Sequence, residues 1–236
     1  MRKVSFLVLV VGLVLGMIPI KEITGNNEQK LLIEDFESVD DWENLILNST
    51  YVKEGKHSGK WEDMVERTYI KKYDISHDWS EFDYLEFWIY SKNATGTGIA
   101  LTLYSENDKT EKWDYFWYDF FIDWKGWKHF ELSKSDFKIV REPVGWNKID
   151  NISFYAKGWD HVPDPSTILY FDDMYLFRDL IKIESFAQSK TGLAGSKVIH
   201  RVKIQNKMDN NETFLINLDT KSLRNFNAKV SENSIF

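Results

Sequence analysis

Alternation of apolar and polar positions with a period of two runs through much of the chain, and sustained helical periodicity is scarce. Tyr84 to Ser91 (YLEFWIYS) puts Leu85, Phe87 and Ile89 on one face and Tyr84, Glu86, Trp88 and Tyr90 on the other. Ile99 to Ser105 repeats the pattern with Ile99, Leu101 and Leu103 inward. Further strands are expected at Leu31 to Glu37, Thr50 to Lys53, Ser58 to Asp63, Tyr69 to Tyr73, Trp127 to Leu132, Asn151 to Ala156 and Ile168 to Phe177. The turn signals EGKH, NATGTG and Lys125-Gly126 divide them, and Ser133 to Phe137 reads as a single helical turn capped by Ser133. Short strands at about ten-residue spacing predict an all-β fold, a β-sandwich of the jelly-roll kind. A βαβ arrangement finds no support.

One stretch departs from simple alternation. In Trp113 to Leu132 (WDYFWYDFFIDWKGWKHFEL), Phe116, Tyr118, Phe120 and Ile122 fall on one strand face, and Trp113, Tyr115, Trp117, Asp119 and Phe121 on the other. A half-buried strand normally carries a polar face. Here both faces are aromatic, so either both are buried or one is a platform for a flat, polar ligand such as a sugar.

Beyond Arg178 to Leu180 the aromatic density falls, and gentler alternation follows in VIHRVKIQNK, ETFLINLDT and FNAKVS. The segment 181–236 reads as part of a second sandwich, short for an independent one, with the pattern still running at Ile235-Phe236.

Composition and charge narrow the partners. With 43% hydrophobic and 16% aromatic residues among 236, the chain has ample material for a packed core. A net charge of -7 argues against nucleic acid and anionic lipid surfaces. For a polyanionic polysaccharide it is only a warning, because a local basic patch can serve. There is no cysteine, which removes disulfides, thiol catalysis and cysteine-ligated zinc. Arg2 and Lys3 precede an apolar run from Val4 to Ile20, so residues 1–24 read as a signal peptide. The alternative is an uncleaved membrane anchor, the chain's one route to a membrane. Either way the remainder is expected to be secreted or at the cell surface, and sequons at Asn48, Asn93, Asn151 and Asn211 fit that location.

The stretches EDFES, EGKHSGKW, HDWSEFDYLEFWIYS, DWKGWKHFEL, EPVGWNKI and YFDDMYL, taken together and in order, resemble the calcium-containing, galactose-binding-like jelly-roll carbohydrate-binding modules of polysaccharide lyases and glycoside hydrolases. The resemblance spans about residues 31–177, and the domain it implies covers residues 31–178. GSKVIHRVKIQNKMDNNETFLINLDT is similar to the immunoglobulin-like modules found beside such sugar-binding modules.

The resemblance implies a structural calcium joining the first and last strands. Oxygen donors for it are present in Asp35 and Glu37 on one side of the first strand, in carbonyls of the turn Lys56 to Ser58, and in Asp172 and Asp173 of the last strand. Asp172 shares a strand face with Met174 and Leu176, which predicts an inward carboxylate that a cation would stabilise. The alternative places both aspartates at a strand end in solvent.

For a glycan, the candidates are Trp88, Tyr90, Tyr104, Tyr115, Trp117, Asp119, His129, Tyr155 and Lys157, expected to line one sheet, with Trp159 closing an edge. Rings stack on the C–H faces of sugars while carboxylate, imidazole and ammonium groups take the hydroxyls. The competing reading makes these rings a second layer of core. Trp124 and Trp127 read as structural residues around the Lys125-Gly126 turn. Acidic pairs such as Glu106 with Asp108 and Asp160 with Asp164 accompany no nucleophile motif or metal-ligand spacing. The expectation is a non-catalytic module that holds a larger polysaccharide-active or cell-surface protein, its enzyme domain outside this chain, on a polysaccharide. The alternative is a structural or adhesive protein without glycan binding.

Overall fold

A computed structural model describes residues 28–179 together with residues 7–8, 20–21, 181–185 and 202–206. Its strands in chain order are β1 (Leu7–Val8), β2 (Ile20–Lys21), β3 (Glu28–Glu34), β4 (Trp42–Glu43), β5 (Ile46–Asn48), β6 (Ser58–Trp61), β7 (Tyr69–Lys72), β8 (Tyr84–Ser91), β9 (Gly98–Tyr104), β10 (Tyr115–Phe121) and β11 (Gly126–Ser133). After a 3-10 turn at Lys134–Asp136 come β12 (Lys138–Val140), β13 (Asn151–Tyr155), β14 (Leu169–Asp179), β15 (Ile181–Ser185) and β16 (Val202–Asn206). Chain contacts divide the molecule into one unit of residues 29–178 and another of residues 1–28 with 179–236. In the second unit β1 pairs with β2 and β15 with β16, both antiparallel. The rest of the signal-segment and immunoglobulin-like readings falls outside the described residues. Among the described residues no helix is long and apolar enough to cross a membrane.

Residues 29–178 form an all-β jelly-roll sandwich of two antiparallel sheets. The first sheet runs β12-β10-β9-β13-β7-β4 and the second β11-β8-β14-β6-β5, with β3 also paired to β14. The inward phases read from sequence meet between them: Leu85, Phe87 and Ile89 of β8, Ile99, Leu101 and Leu103 of β9, and Phe116 and Phe120 of β10 are all buried. Phe87 stacks on Phe130 at 4.9 Å and meets Phe154 edge-on at 5.7 Å, joining the sheets. Burying each such ring contributes about 1.5–3 kcal/mol.

The core also holds a charge. Lys72 lies in register with Ile152 and Trp42 and therefore points inward. Its ammonium is 2.9 Å from Glu34 and also meets Asp41, while Glu34 accepts the Trp42 indole N–H at 2.9 Å and the Phe36 N–H at 3.0 Å. Each buried charge in this network has a partner, as burial demands.

Several boundaries differ from the expectation. Thr50 to Lys53 is a bend, and the strand beside it is β5, four residues earlier in the chain. The short β4 and β12 were not foreseen, being too brief to show a period. Ser133 does cap a single turn, its N–H donating to Asp136 at 2.7 Å and its hydroxyl at 2.8 Å. The sequon asparagine Asn151 is buried in β13, whereas Asn93 is exposed.

Candidate functional site

The register of the six-stranded sheet sets out its outer face in rows across the strands. The middle row reads Lys138, Trp117, Thr102, Ser153, Lys71 and Glu43. One flanking row contains Tyr115, Tyr104 and Asn151, and the other Asp119, Ala100, Tyr155 and Tyr69. Small residues thus floor the central strands, and large rings stand around them. Neither Ala100, Thr102 nor Ser153 is exposed to solvent. The Tyr104 and Tyr155 hydroxyls approach to 3.4 Å from the two flanking rows, closing over Thr102 and Ser153. Burial, first of all, and then the Tyr155 contact hold the Tyr104 phenol well above its usual pKa, so it stays a neutral hydrogen-bonding group.

A loop completes this surface. Lys157 follows β13, and Gly158, Trp159 and Asp160 take successive positive φ angles of 104°, 51° and 63°. Only glycine adopts this region freely; each of the other two costs about 1–2 kcal/mol. The turn is closed by the His161 N–H donating to the Gly158 carbonyl at 2.8 Å. It lays Trp159 back over the sheet, with its ring 5.4 Å from Tyr155, 6.1 Å from Tyr115 and 6.2 Å from Trp117. Gly98 is required beneath it, because a Cβ there would run into the His161 ring. Lys138 reaches over Trp117 at 4.4 Å and pairs with Asp119 at 3.3 Å, bringing both charges to the rim of the rings.

The structure therefore brings together Tyr104, Tyr115, Trp117, Asp119, Tyr155 and Trp159. Lys157 is exposed on the loop beside them. Trp159 lies above the face, not at its edge.

Trp88, Tyr90 and His129 do not belong to this group. They sit on the outer face of the opposite sheet, because β8 pairs with β11 and β14. There the loop after β5 covers them: Tyr51 stacks on Tyr90 at 4.2 Å, and Lys53 lies 3.9 Å over Trp88. Trp88 in turn stacks on His129 at 4.4 Å, and its indole N–H is buried without a partner. His129 is 2.7 Å from Glu86. The expectation of one ligand-binding sheet is corrected here, since alternation tells which face of a strand a ring occupies and not which sheet holds the strand. Trp124 is structural, its indole donating to the Gly126 carbonyl at 3.1 Å against the core.

Residues not among the candidates for a glycan also reach the first face. Tyr69, Lys71 and Tyr73 alternate with Ile70 and Lys72, a period-two signal in plain view. Tyr69 meets Tyr155 at 5.7 Å and donates its hydroxyl to Glu43 at 2.8 Å. Tyr73, Trp113 and Phe121 are 54%, 58% and 54% exposed.

The residues expected to bind calcium lie at the other sheet. Asp35 and Glu37 are not on the first strand, which ends at Glu34; Phe36 then takes a φ of 56° and turns the chain. Glu37 accepts the N–H groups of Lys56 and His57 at 2.6 and 3.1 Å, and these hydrogen bonds, with that of the His57 side chain, lower its pKa. Asp35 accepts the Glu37 N–H at 3.0 Å, and the Ser58 hydroxyl donates to the Tyr51 carbonyl at 2.7 Å. Asp172 pairs with Trp88 and so belongs to the outward phase, contrary to the inward placement expected from Met174 and Leu176. A bulge at Asp173, where φ is 56°, shifts the register and turns Met174 and Leu176 inward.

Asp172 is nevertheless fully buried, under the loop. One carboxylate oxygen accepts the Lys53 and Glu54 N–H groups at 2.7 and 3.3 Å, and the other has no partner. Burial pushes its pKa up to about 6, and burial likewise raises Asp173. An orphaned, buried carboxylate oxygen among oxygen donors suits a hard cation. Among the described residues, however, no three acidic or histidine side chains converge into a metal-holding group.

No protein-family model matches the chain, and no curated protein matches it. Among solved structures it is similar to a family 11 carbohydrate-binding module from Clostridium thermocellum in complex with a β-1,3-1,4-mixed-linked tetrasaccharide, at 18% identity over 62% of this chain and 94% of that one, with a TM-score of 0.43. It is also similar to the family 11 module of a cellulosomal cellulase of the same organism, at 17% identity over 63% and 94% of the two chains, with a TM-score of 0.46. A family 30 module of another cellulosomal cellulase of that organism matches at 13% identity over 63% and 96%, with a TM-score of 0.45.

Proposed function

We propose that this protein is a secreted or cell-surface, non-catalytic carbohydrate-binding module that attaches a larger polysaccharide-active or cell-surface protein to a glycan through the outer face of its six-stranded sheet. The observation that carries this reading is Trp159, laid over Tyr115, Trp117 and Tyr155 by a turn with two strained non-glycine residues. Strain of this kind persists where a particular side-chain position is needed. The rings offer flat apolar surfaces for sugar C–H faces. The Tyr104 and Tyr155 hydroxyls, Asp119, Lys138 and Lys157 supply hydrogen bonds for sugar hydroxyls.

We further propose that calcium is held at the unpartnered carboxylate oxygen of Asp172; Asp35, Glu37 and Asp173 do not converge with it into a group of three among the described residues. Bound there, the ion neutralises the buried carboxylate and ties the loop 49–57 to β14. Its role is structural.

Affinity electrophoresis against a panel of polysaccharides, with calcium and with chelator, tests the reading. At least one glycan should retard the protein, and Trp117→Ala should abolish the retardation with little change in melting temperature. If no glycan retards the calcium-loaded protein, the structural or adhesive alternative replaces this reading.

A further inference from the structure

Lys71 is the feature of this face that a neutral sugar platform does not require. It lies in the middle row of the sheet, between two rings: its ammonium is 4.3 Å over Tyr73 and 5.2 Å over Tyr104. The other lysine over a ring on this face, Lys138, has a carboxylate partner in Asp119. Lys71 has none among the described residues. Its register partner Glu43 instead accepts the Tyr69 hydroxyl at 2.8 Å.

The surroundings of this ammonium are built for contact. On one side Tyr73 is 54% exposed, and on the other Trp113, 6.2 Å edge-on from Tyr104, is 58% exposed. Trp113 and the preceding Lys112 take φ angles of 70° and 79°, so the exposed indole is held at the rim by strained backbone. Trp113, Tyr104, Lys71 and Tyr73 thus form a strip across β9, β13 and β7 from the start of β10 to the end of β7, three strand spacings, with an exposed ring at each end and a positive charge between. Strands lie about 4.8 Å apart, so the strip crosses about 14 Å, or roughly three sugar units.

We infer that the glycan is acidic, and that Lys71 pairs with a carboxylate or sulfate on a sugar whose neighbours stack on Trp113 and Tyr73. This rests on the glycan-binding reading above and names the ligand class of that face. The net charge of -7 does not oppose it. At physiological salt, charges farther than about 8 Å are screened, so the local ammonium decides the contact. Of the two carboxylates nearest the strip in register, Asp119 is paired with the Lys138 ammonium, whereas Glu43 accepts the Tyr69 hydroxyl and keeps its charge opposite Lys71, so the preference measured is what remains after that opposing charge.

Calorimetry on the full chain with three oligosaccharides of equal length tests this: a neutral glucan, a polyuronate and a sulfated glycan. One of the acidic ligands should bind about tenfold more tightly than the neutral one, the range of a charge-assisted hydrogen bond. That preference should weaken with added salt, fall below about twofold in Lys71→Met, and survive in Lys71→Arg. Which acidic ligand binds distinguishes carboxylate from sulfate. Equal binding of the neutral glucan overturns the inference and leaves the platform reading standing, as does an acidic preference that persists in folded Lys71→Met. Binding of none of the three, nor of any glycan in the wider panel, removes both.

Discussion

Asp172 turns the buried loop contact into a measurable pH dependence. The carboxyl is fully buried, with one oxygen satisfied by two N–H groups and the other by nothing. Its pKa rises from 3.8 to about 6, which corresponds to about 3 kcal/mol of folding free energy. Because the folded-state value is the higher one, ionisation costs stability: the full cost applies above pH 6 and vanishes below about pH 4. Asp172→Asn keeps an acceptor for Lys53 and Glu54 but places an amide N–H where nothing accepts it, a pH-independent cost of about 1–3 kcal/mol. Urea unfolding in chelator should therefore show the native protein gaining about 2 kcal/mol relative to Asp172→Asn between pH 7 and pH 4. The comparison with the variant is needed because Glu37, Glu86 and Asp114, whose pKa values are lowered, lose stability over the acid range in both proteins. Calcium at pH 7 should stabilise the native chain and leave the variant unchanged. A stability difference that is flat across this pH range would refute the argument that an unpaired buried charge sits at this position.

Three further outcomes follow from the same geometry. Trp88→Ala should cost about 2–4 kcal/mol in thermal unfolding, since it removes the stack on His129 and the ring beneath Lys53, yet leave glycan affinity unchanged. Gly98→Ala should weaken glycan binding several-fold while the sandwich stays folded, because the new methyl group displaces His161 and with it Trp159; calorimetry beside circular dichroism separates the two. Gly55→Ala should destabilise the protein by about 1–2 kcal/mol in denaturant unfolding, because residue 55 has a φ of 69° and an added Cβ would strike the Glu37 carboxylate.

What was legible in the sequence was local. The phases of β8, β9 and β10 follow from side chains alternating across a strand, and the buried faces of all three read correctly from that rule. Tyr104, Tyr115, Trp117, Asp119 and Tyr155 were identified as outward-facing by the same argument. Trp159 was found as an aromatic after a glycine turn. The phase of β14 failed at Asp173, because a bulge inserts a residue that no period announces.

Sheet membership was decided only in three dimensions. Trp88 and Trp117 look alike in sequence, each an outward tryptophan among aromatic neighbours. One lies under Lys53 and the other under Lys138 and Trp159, on opposite sides of the sandwich. Strand order depends on long-range pairing, which alternation within a strand does not encode. Burial of Asp172 and the isolation of Lys71 are likewise tertiary facts, set by a loop crossing one sheet and by which acid a neighbouring tyrosine claims. The sequence alone determined an all-β chain with outward aromatic phases, because side-chain alternation is a property of the backbone. Which of those phases a loop covers, and which sheet each belongs to, was decided by the packing of distant strands and by two loops.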